Sequence, residues 1–238
     1  MTDIEYIHKY LPKENWKEAE AKLKKNIPVQ YIVGNVDFYG YKINVNENVL
    51  IPRFETELLV EKTIQYIQKY FTKPIDILDI GTGSGCIAIA LKKELSENVD
   101  AVDISLKALE TAQQNAKLND VHIHFIQSDL FSNIDQQYDV IISNPPYLSK
   151  DEDVMDIVKN NEPHLALYAE NNGLEIYDRI FKDIKKYIKK KALIAFEIGY
   201  TQEKELEMRC KKYFPQEKYS FEKDLSGKVR YLFICVNI

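Results

Sequence analysis

From Ile75 onward, hydrophobic and polar positions follow two alternating rhythms. Short apolar runs at Ile75–Ile80, Val99–Val102, His122–Ile126, Tyr138–Ile142 and Ala192–Ile198 predict buried strands. Between them, apolar positions recur at three- and four-residue spacing over 84–95, 106–118, 172–190 and 202–213, which predicts helices. Two closing strands, Lys218–Glu222 and Val229–Val236, face each other across Asp224-Leu225-Ser226-Gly227. Strand–helix alternation of this kind builds a mostly parallel sheet covered on both faces, here ending in an antiparallel hairpin. The expected fold class is therefore α/β: a doubly wound, mostly parallel seven-stranded sheet.

The first 70 residues differ. Residues 3–26 read as a very polar helical stretch with a narrow apolar face of Trp16, Ala19 and Leu23, ended by Pro28. Residues 36–45 read as a hairpin turning at Gly40. A helix over 57–70 follows, with Thr56 as its expected cap. The organisation expected is a helical appendage at 1–30, a β-hairpin connector at 31–52 and a main α/β domain at 53–238.

Composition narrows the function. The 238 residues carry a net charge of −5 and are 45% hydrophobic. An acidic chain has no general attraction to polyphosphate, so stable nucleic-acid binding is not expected. Residues 1–10 have no apolar core, no apolar run is long enough to span a bilayer, and Cys86, Cys210 and Cys235 are scattered without a CxxC pair. The expectation is a reduced, cytoplasmic protein with neither metal site nor disulfide framework.

The chemistry-bearing residues gather where strands end. The first strand runs into Asp79-Ile80-Gly81-Thr82-Gly83-Ser84-Gly85, whose alternating glycines let a backbone approach a ligand ahead of a helix N-terminus. The third place of a dinucleotide fingerprint, G-x-G-x-x-G, holds Cys86, and the Gly-Lys-Ser/Thr of a phosphate loop is absent. The second strand ends in Asp103, placed for ribose hydroxyls, and the third leads to Asp129 and Leu130, placed beside an adenine ring. Each acid alone serves equally well as a helix cap or a solvated loop residue. Three in succession fit a nucleoside with a positive centre and no phosphate, as in S-adenosyl-L-methionine.

The fourth strand is cut off by Ser143-Asn144-Pro145-Pro146-Tyr147, since proline cannot extend a ladder. The Asn144 side chain and the Pro145 carbonyl then stand side by side as acceptors suited to an –NH2 on a planar carbon. A tight turn that merely closes a strand is the alternative.

Together these segments resemble a known family. Pro28-Val29-Gln30-Tyr31-Ile32-Val33-Gly34, Phe38-Tyr39-Gly40, Ile51-Pro52-Arg53-Phe54-Glu55-Thr56-Glu57, the glycine loop, Asn144-Pro145-Pro146-Tyr147, Asn161-Glu162-Pro163 and Asp224-Leu225-Ser226-Gly227 with Arg230 are similar to the protein-(glutamine-N5) methyltransferases of peptide-chain release factors. These are class I S-adenosylmethionine-dependent enzymes with a Rossmann-like fold. The resemblance implies methyl transfer to the side-chain amide nitrogen of glutamine in a Gly-Gly-Gln motif of class I release factors, in support of translation termination. It implies that Asp79, Gly81, Thr82, Gly83, Ser84, Gly85, Asp103, Asp129, Leu130 and Asn144 hold the cofactor. Asn144 and Pro145 would be catalytic, and Arg53, Asn144, Pro145, Pro146 and Tyr147 would meet the substrate. Two features depart from the family: its N-terminal helical bundle is usually larger, and Phe54 stands where proline is frequent. Asn-Pro-Pro-Tyr alone is shared with N6-adenine and N2-guanine methyltransferases acting on DNA or RNA, which form the alternative reading. With no His, Cys or Lys in the motif, positioning is the expected means of catalysis.

Overall fold

The computed structural model describes residues 2–238. Helix α1 (Asp3–Tyr10) begins in a capping box between Thr2 and Glu5. It ends at Leu11, whose extended backbone precedes Pro12. The polar helical stretch carries two helices: after a single 3-10 turn, α2 spans Trp16–Leu23. A short α3 (Val29–Val33) follows, and Ile7, Ala19, Val29 and Val33 close a small cluster of their own. Tyr6 and Tyr10 tie it to the next element by hydrogen bonds to the Asn35 carbonyl (3.4 Å) and the Asp37 carboxylate (3.0 Å).

Strands β1 (Asn35–Phe38) and β2 (Tyr41–Asn44) form the expected antiparallel hairpin around Tyr39-Gly40. The buried Asn115 side chain accepts from the Asn44 N–H at 2.8 Å and donates to its carbonyl at 2.9 Å, pinning the hairpin to the main body.

Helix α4 (Phe54–Tyr70) starts earlier than expected. Arg53 occupies the cap position and makes no side-chain cap bond, so Thr56 is not the cap but a buried residue of the first turn. Phe54 is the first helical residue and is 56% exposed. The fixed φ of proline suits that position, so proline and an outward-facing phenylalanine are both compatible with it.

The main body then alternates: β3 (Asp76–Ile80), α5 (Cys86–Leu95), β4 (Asn98–Asp103), α6 (Leu106–Leu118), β5 (His124–Gln127) and β6 (Tyr138–Ser143). Three short helical turns that the periodicity did not reveal come next: α7 (Asp156–Asn161), α8 (His164–Leu167) and α9 (Glu170–Gly173), the last with left-handed Asn171 and Asn172. Helix α10 (Glu175–Asp183) is shorter than the 172–190 expected. The residues from Ile188 belong instead to β7 (Ile188–Glu197), because Lys189 leaves the helical track to meet the Asp76 and Asp139 carboxylates at 2.6 and 2.7 Å. Helix α11 (Glu203–Tyr213), β8 (Lys218–Lys223) and β9 (Val229–Val236) complete the chain.

The seven strands lie in the order β5-β4-β3-β6-β7-β9-β8, with β9 antiparallel to both neighbours and the others parallel. One apolar cluster fills the face under α4 and α5, and a second fills the face under α10 and α11. The strand order reverses on either side of β3, so the crevice at the carboxyl ends of β3, β4 and β6 is where an open α/β sheet takes a ligand. Among the described residues, no helix is long and apolar enough to cross a membrane.

Candidate active site

Register brings the two sequence motifs together. Ile80 pairs with Ser143 across β3 and β6, so the glycine loop and Asn144 leave the sheet side by side. Ser143 locks the pair by donating its hydroxyl to the Ile80 carbonyl at 2.7 Å. A cleft opens over these tips, lined by Gly81, Thr82, Gly83, Ser84, Asp103, Asp129, Leu130, Asn144, Pro145 and Pro146 among others. It holds about 1180 Å³ of space when the open solvent at its mouth is counted.

Within the cleft, Asp103 binds the glycine loop. Its Oδ2 accepts from the Gly83 N–H at 2.9 Å and its Oδ1 from the Ser105 N–H at 2.9 Å. Burial raises its pKa, opposed by backbone hydrogen bonds from Ser105 and Gly83. Gly83 has φ +55°, and a Cβ there would meet nothing within 4 Å. The loop therefore turns bare backbone toward open space, the surface a close-fitting ligand needs. Asp129 is half exposed and pairs with Arg179 at 2.7 Å, so that a guanidinium shares this end of the cleft. Leu130 lines the wall with a left-handed backbone (φ 53°), held by the Ser128 hydroxyl donating to its carbonyl at 2.8 Å.

Asp79 sits below the cleft rather than in its wall. It is fully buried, and its Oδ2 accepts from the Thr82 hydroxyl at 2.6 Å. Its Oδ1 has no hydrogen-bond partner among the described residues. Burial pushes its pKa up to about 7. Thr82 and Ser84 are themselves buried, and Gly85 has φ +81° at the cap of α5.

A second hollow adjoins the first. It is lined by Leu50, Arg53, Asn144, Pro145, Tyr147, Leu148, Val158, Ala166, Leu167 and Glu197. Leu50, Asn144, Pro145 and Ala166 belong to both linings and form the partition, in which Asn144 carries the one polar side chain. Arg53 is held there by Glu162, a buried carboxylate that also accepts from the Ile51 N–H at 3.1 Å. That joins the Ile51-Pro52-Arg53 and Glu162-Pro163 segments, which the sequence leaves far apart. Asn161 donates to the Asn26 and Ile157 carbonyls, and Asn160 is exposed.

Sequence reasoning missed a buried chain behind Asn144. Its Nδ2 donates to the Thr56 hydroxyl oxygen at 3.1 Å, and that hydroxyl donates to Glu197 Oε2 at 2.7 Å. The Tyr147 hydroxyl donates to Glu197 Oε1 at 3.3 Å. Burial raises the Glu197 pKa to about 7, against the pull of the Thr56 hydrogen bond and the Arg230 charge. The available signal was a lone acid at the end of the apolar run Ala192-Leu193-Ile194-Ala195-Phe196-Glu197. His122 and His124 lie far off: His124 is exposed on the edge strand β5. Among the described residues, no group of three or more His, Cys, Asp or Glu is placed to hold a metal.

Known proteins resemble this chain in sequence and in fold. The family described as "Methyltransferase small domain" matches residues 55–166. The chain is 42% identical to a release factor glutamine methyltransferase of Streptococcus pneumoniae, over 90% of this chain and 77% of the relative. It is also 42% identical to one of Lactococcus lactis, over 90% and 79%. Among solved structures, a Pyrococcus furiosus methyltransferase superposes with a TM-score of 0.63 at 17% identity, covering 93% of this chain and all of that one. The catalytic domain of human METTL16 in complex with an RNA hairpin gives 0.64 at 18% identity, covering 82% and 75%. At such low identity these two structures speak for the fold.

Proposed function

The chain belongs to the release factor glutamine methyltransferases, and from that membership we propose how its residues carry out the reaction. The protein is an S-adenosyl-L-methionine-dependent methyltransferase that modifies the side-chain amide nitrogen of glutamine in a release factor. The observation that carries the residue assignment is the partition: Asn144 and Pro145, with Leu50 and Ala166 beside them, border the cleft and the adjoining hollow at once. A group held against them from the hollow meets whatever the cleft presents.

The cleft fits the cofactor by its own chemistry. The open face of the glycine loop admits close approach, and Asp103 keeps lone pairs for ribose hydroxyls beyond its two backbone bonds. The carboxylates of Asp103 and Asp129 in the cleft lining suit a ligand with positive charge. In this proposal Gly81, Thr82, Gly83, Ser84 and Gly85 cradle the methionine end, Asp79 supports them from beneath through Thr82, and Asp129 and Leu130 border the adenine. When bound, the cofactor supplies an electrophilic methyl group on a sulfonium.

The protein's own contribution is orientation. An amide nitrogen is a weak nucleophile because its lone pair is delocalised into the carbonyl. The Asn144 side-chain oxygen and the Pro145 carbonyl each accept one N–H of the substrate glutamine, which fixes the nitrogen toward the cleft. The same two oxygens favour the positive charge that grows on that nitrogen, and once the methyl is bound the nitrogen gives up one proton to water. Pro146 stiffens the turn, and Tyr147 and Arg53 line the hollow that receives the side chain. The organisation at 1–30, 31–52 and 53–238 is part of the same reading, with the substrate protein contacting the main domain around the hollow. Incubation of a purified class I release factor with this protein and S-adenosylmethionine, read by peptide mass spectrometry, tests it. One added methyl on the glutamine of Gly-Gly-Gln is expected. Transfer to tRNA, rRNA or DNA with none to the release factor would overturn it.

A further inference from the structure

Asn144 has two faces, and the orientation just described needs its oxygen toward the substrate. We infer that Thr56 and Glu197 are positioning residues that set this orientation: an ionised Glu197 fixes the direction of the hydrogen bonds from Asn144 through Thr56. The inference rests on the proposed role of Asn144.

Hydrogen counting gives the direction. The Thr56 hydroxyl carries one hydrogen and stands between two partners, Asn144 Nδ2 at 3.1 Å and Glu197 Oε2 at 2.7 Å. A carboxylate only accepts, so the hydroxyl hydrogen goes to Glu197. The Thr56 oxygen is then left as an acceptor, which only the NH2 side of the Asn144 amide satisfies. The Oδ1 side is turned away from Thr56 and stays free. Tyr147 occupies the other Glu197 oxygen with a hydroxyl of its own, so both carboxylate oxygens draw hydrogens toward themselves.

Protonation of Glu197 removes the constraint. Its O–H can donate to Thr56, whose hydroxyl can then donate to Asn144 Oδ1 after the amide turns over. The NH2 of Asn144 would face the substrate NH2, donor against donor, and the acceptor pair would be lost. The groups around Glu197 are Glu55 and Thr56 on α4, Tyr147 beyond β6, Tyr177 on α10, Arg230 and Tyr231 on β9, and Cys86 on α5. The cations nearby are Arg230, which favours the ionised state, and Arg53, which lines the same hollow. Burial opposes ionisation and pushes the pKa up to about 7.

Register explains why these residues meet. Ser143 pairs with Phe196 across β6 and β7, which sets Asn144 and Glu197 at adjacent strand tips. The first turn of α4 lies over both, tethered by the Tyr231 hydroxyl donating to the Glu55 carbonyl at 2.8 Å.

The test compares Thr56→Val with Thr56→Ser. Valine keeps the shape and removes the relay; serine keeps the hydroxyl. Expected is a roughly 10- to 100-fold loss of kcat in Thr56→Val, with S-adenosylmethionine affinity within about 3-fold of wild type, and recovery of most of the kcat in Thr56→Ser. A Thr56→Val enzyme with wild-type kcat overturns the inference. So does a Thr56→Ser enzyme as impaired as the valine variant, since that would mark a packing role. A readout independent of turnover is the Asn144 side-chain amide resonance in a nitrogen-15 spectrum, assigned by its loss in Asn144→Asp. It should shift with pH near neutrality in the wild type and stay constant in Thr56→Val and Glu197→Gln. A resonance that titrates in an enzyme inactive on release factor would sink the proposed substrate and keep the relay. A resonance that does not titrate in an active wild type would sink the relay and keep the substrate.

Discussion

The Arg53 guanidinium pairs with the Glu162 carboxylate across 109 residues of sequence, and Glu162 is almost wholly buried. The pair fastens the segment before α4 to the short helices α7 and α8, which together wall the hollow beside Asn144. Removing the arginine leaves a buried carboxylate with only the Ile51 N–H. Breaking a fully buried pair costs about 3–5 kcal/mol, and the partial exposure of Arg53 lowers this. Arg53→Ala should lose about 1–3 kcal/mol in urea unfolding and raise KM for the release factor more than for the cofactor. An unchanged urea midpoint would show that the pair contributes nothing.

Gly173 lies against the turn that carries the motif. It has φ +77°, and a Cβ there would fall 2.0 Å from the Tyr147 carbonyl oxygen. Backbone atoms cannot yield as a flexible side chain can. Gly173→Ala should cost more than about 3 kcal/mol and should impair turnover together with stability. Thermal unfolding with a parallel activity assay checks both.

At Gly83 the expectation is different. Its φ is +55°, but a Cβ would enter open space. Gly83→Ala should cost only about 1 kcal/mol of stability. Its side chain would project from the cofactor loop, so S-adenosylmethionine affinity should fall by roughly tenfold or more, measured by calorimetry. Affinity equal to wild type would remove the glycine loop from the cofactor site.

Asp79 gives a pH signature. Burial lifts its pKa from 3.8 in the unfolded chain to about 7 in the folded one. Between those values the folded state holds the extra proton, so stability falls as pH rises through the window. At ~1.4 kcal/mol per unit, up to about 4 kcal/mol is at stake between pH 4 and 7. Glu197, raised from 4.5 to about 7, adds a slope of the same sign. Asp79→Asn should flatten the decline and leave the Glu197 share, as read from unfolding midpoints at successive pH values.

The strand–helix alternation of the main body was legible because its strands are apolar runs with turn residues at their ends. The order of ligand-bearing tips followed from it: Gly81, Asp103, Leu130 and Asn144 all reach one cleft. Local pattern failed where tertiary contacts decide. Lys189 and Lys190 look helical, yet Lys189 is drawn into β7 by carboxylates on neighbouring strands. Helices α7 to α9 are too short for periodicity to register. Thr56 has the composition of a cap and is one helical turn too late to be one. Its partner Glu197 lies 141 residues away, a distance that no window of sequence spans.

The central claim is that the Asn144 carboxamide holds the substrate glutamine for transfer. Single-turnover methylation of release factor by wild type and Asn144→Ala, at saturating S-adenosylmethionine, measures it directly. The account predicts a rate lower by roughly 10²–10³ in the variant, with cofactor affinity falling far less. Equal rates for the two enzymes would contradict it.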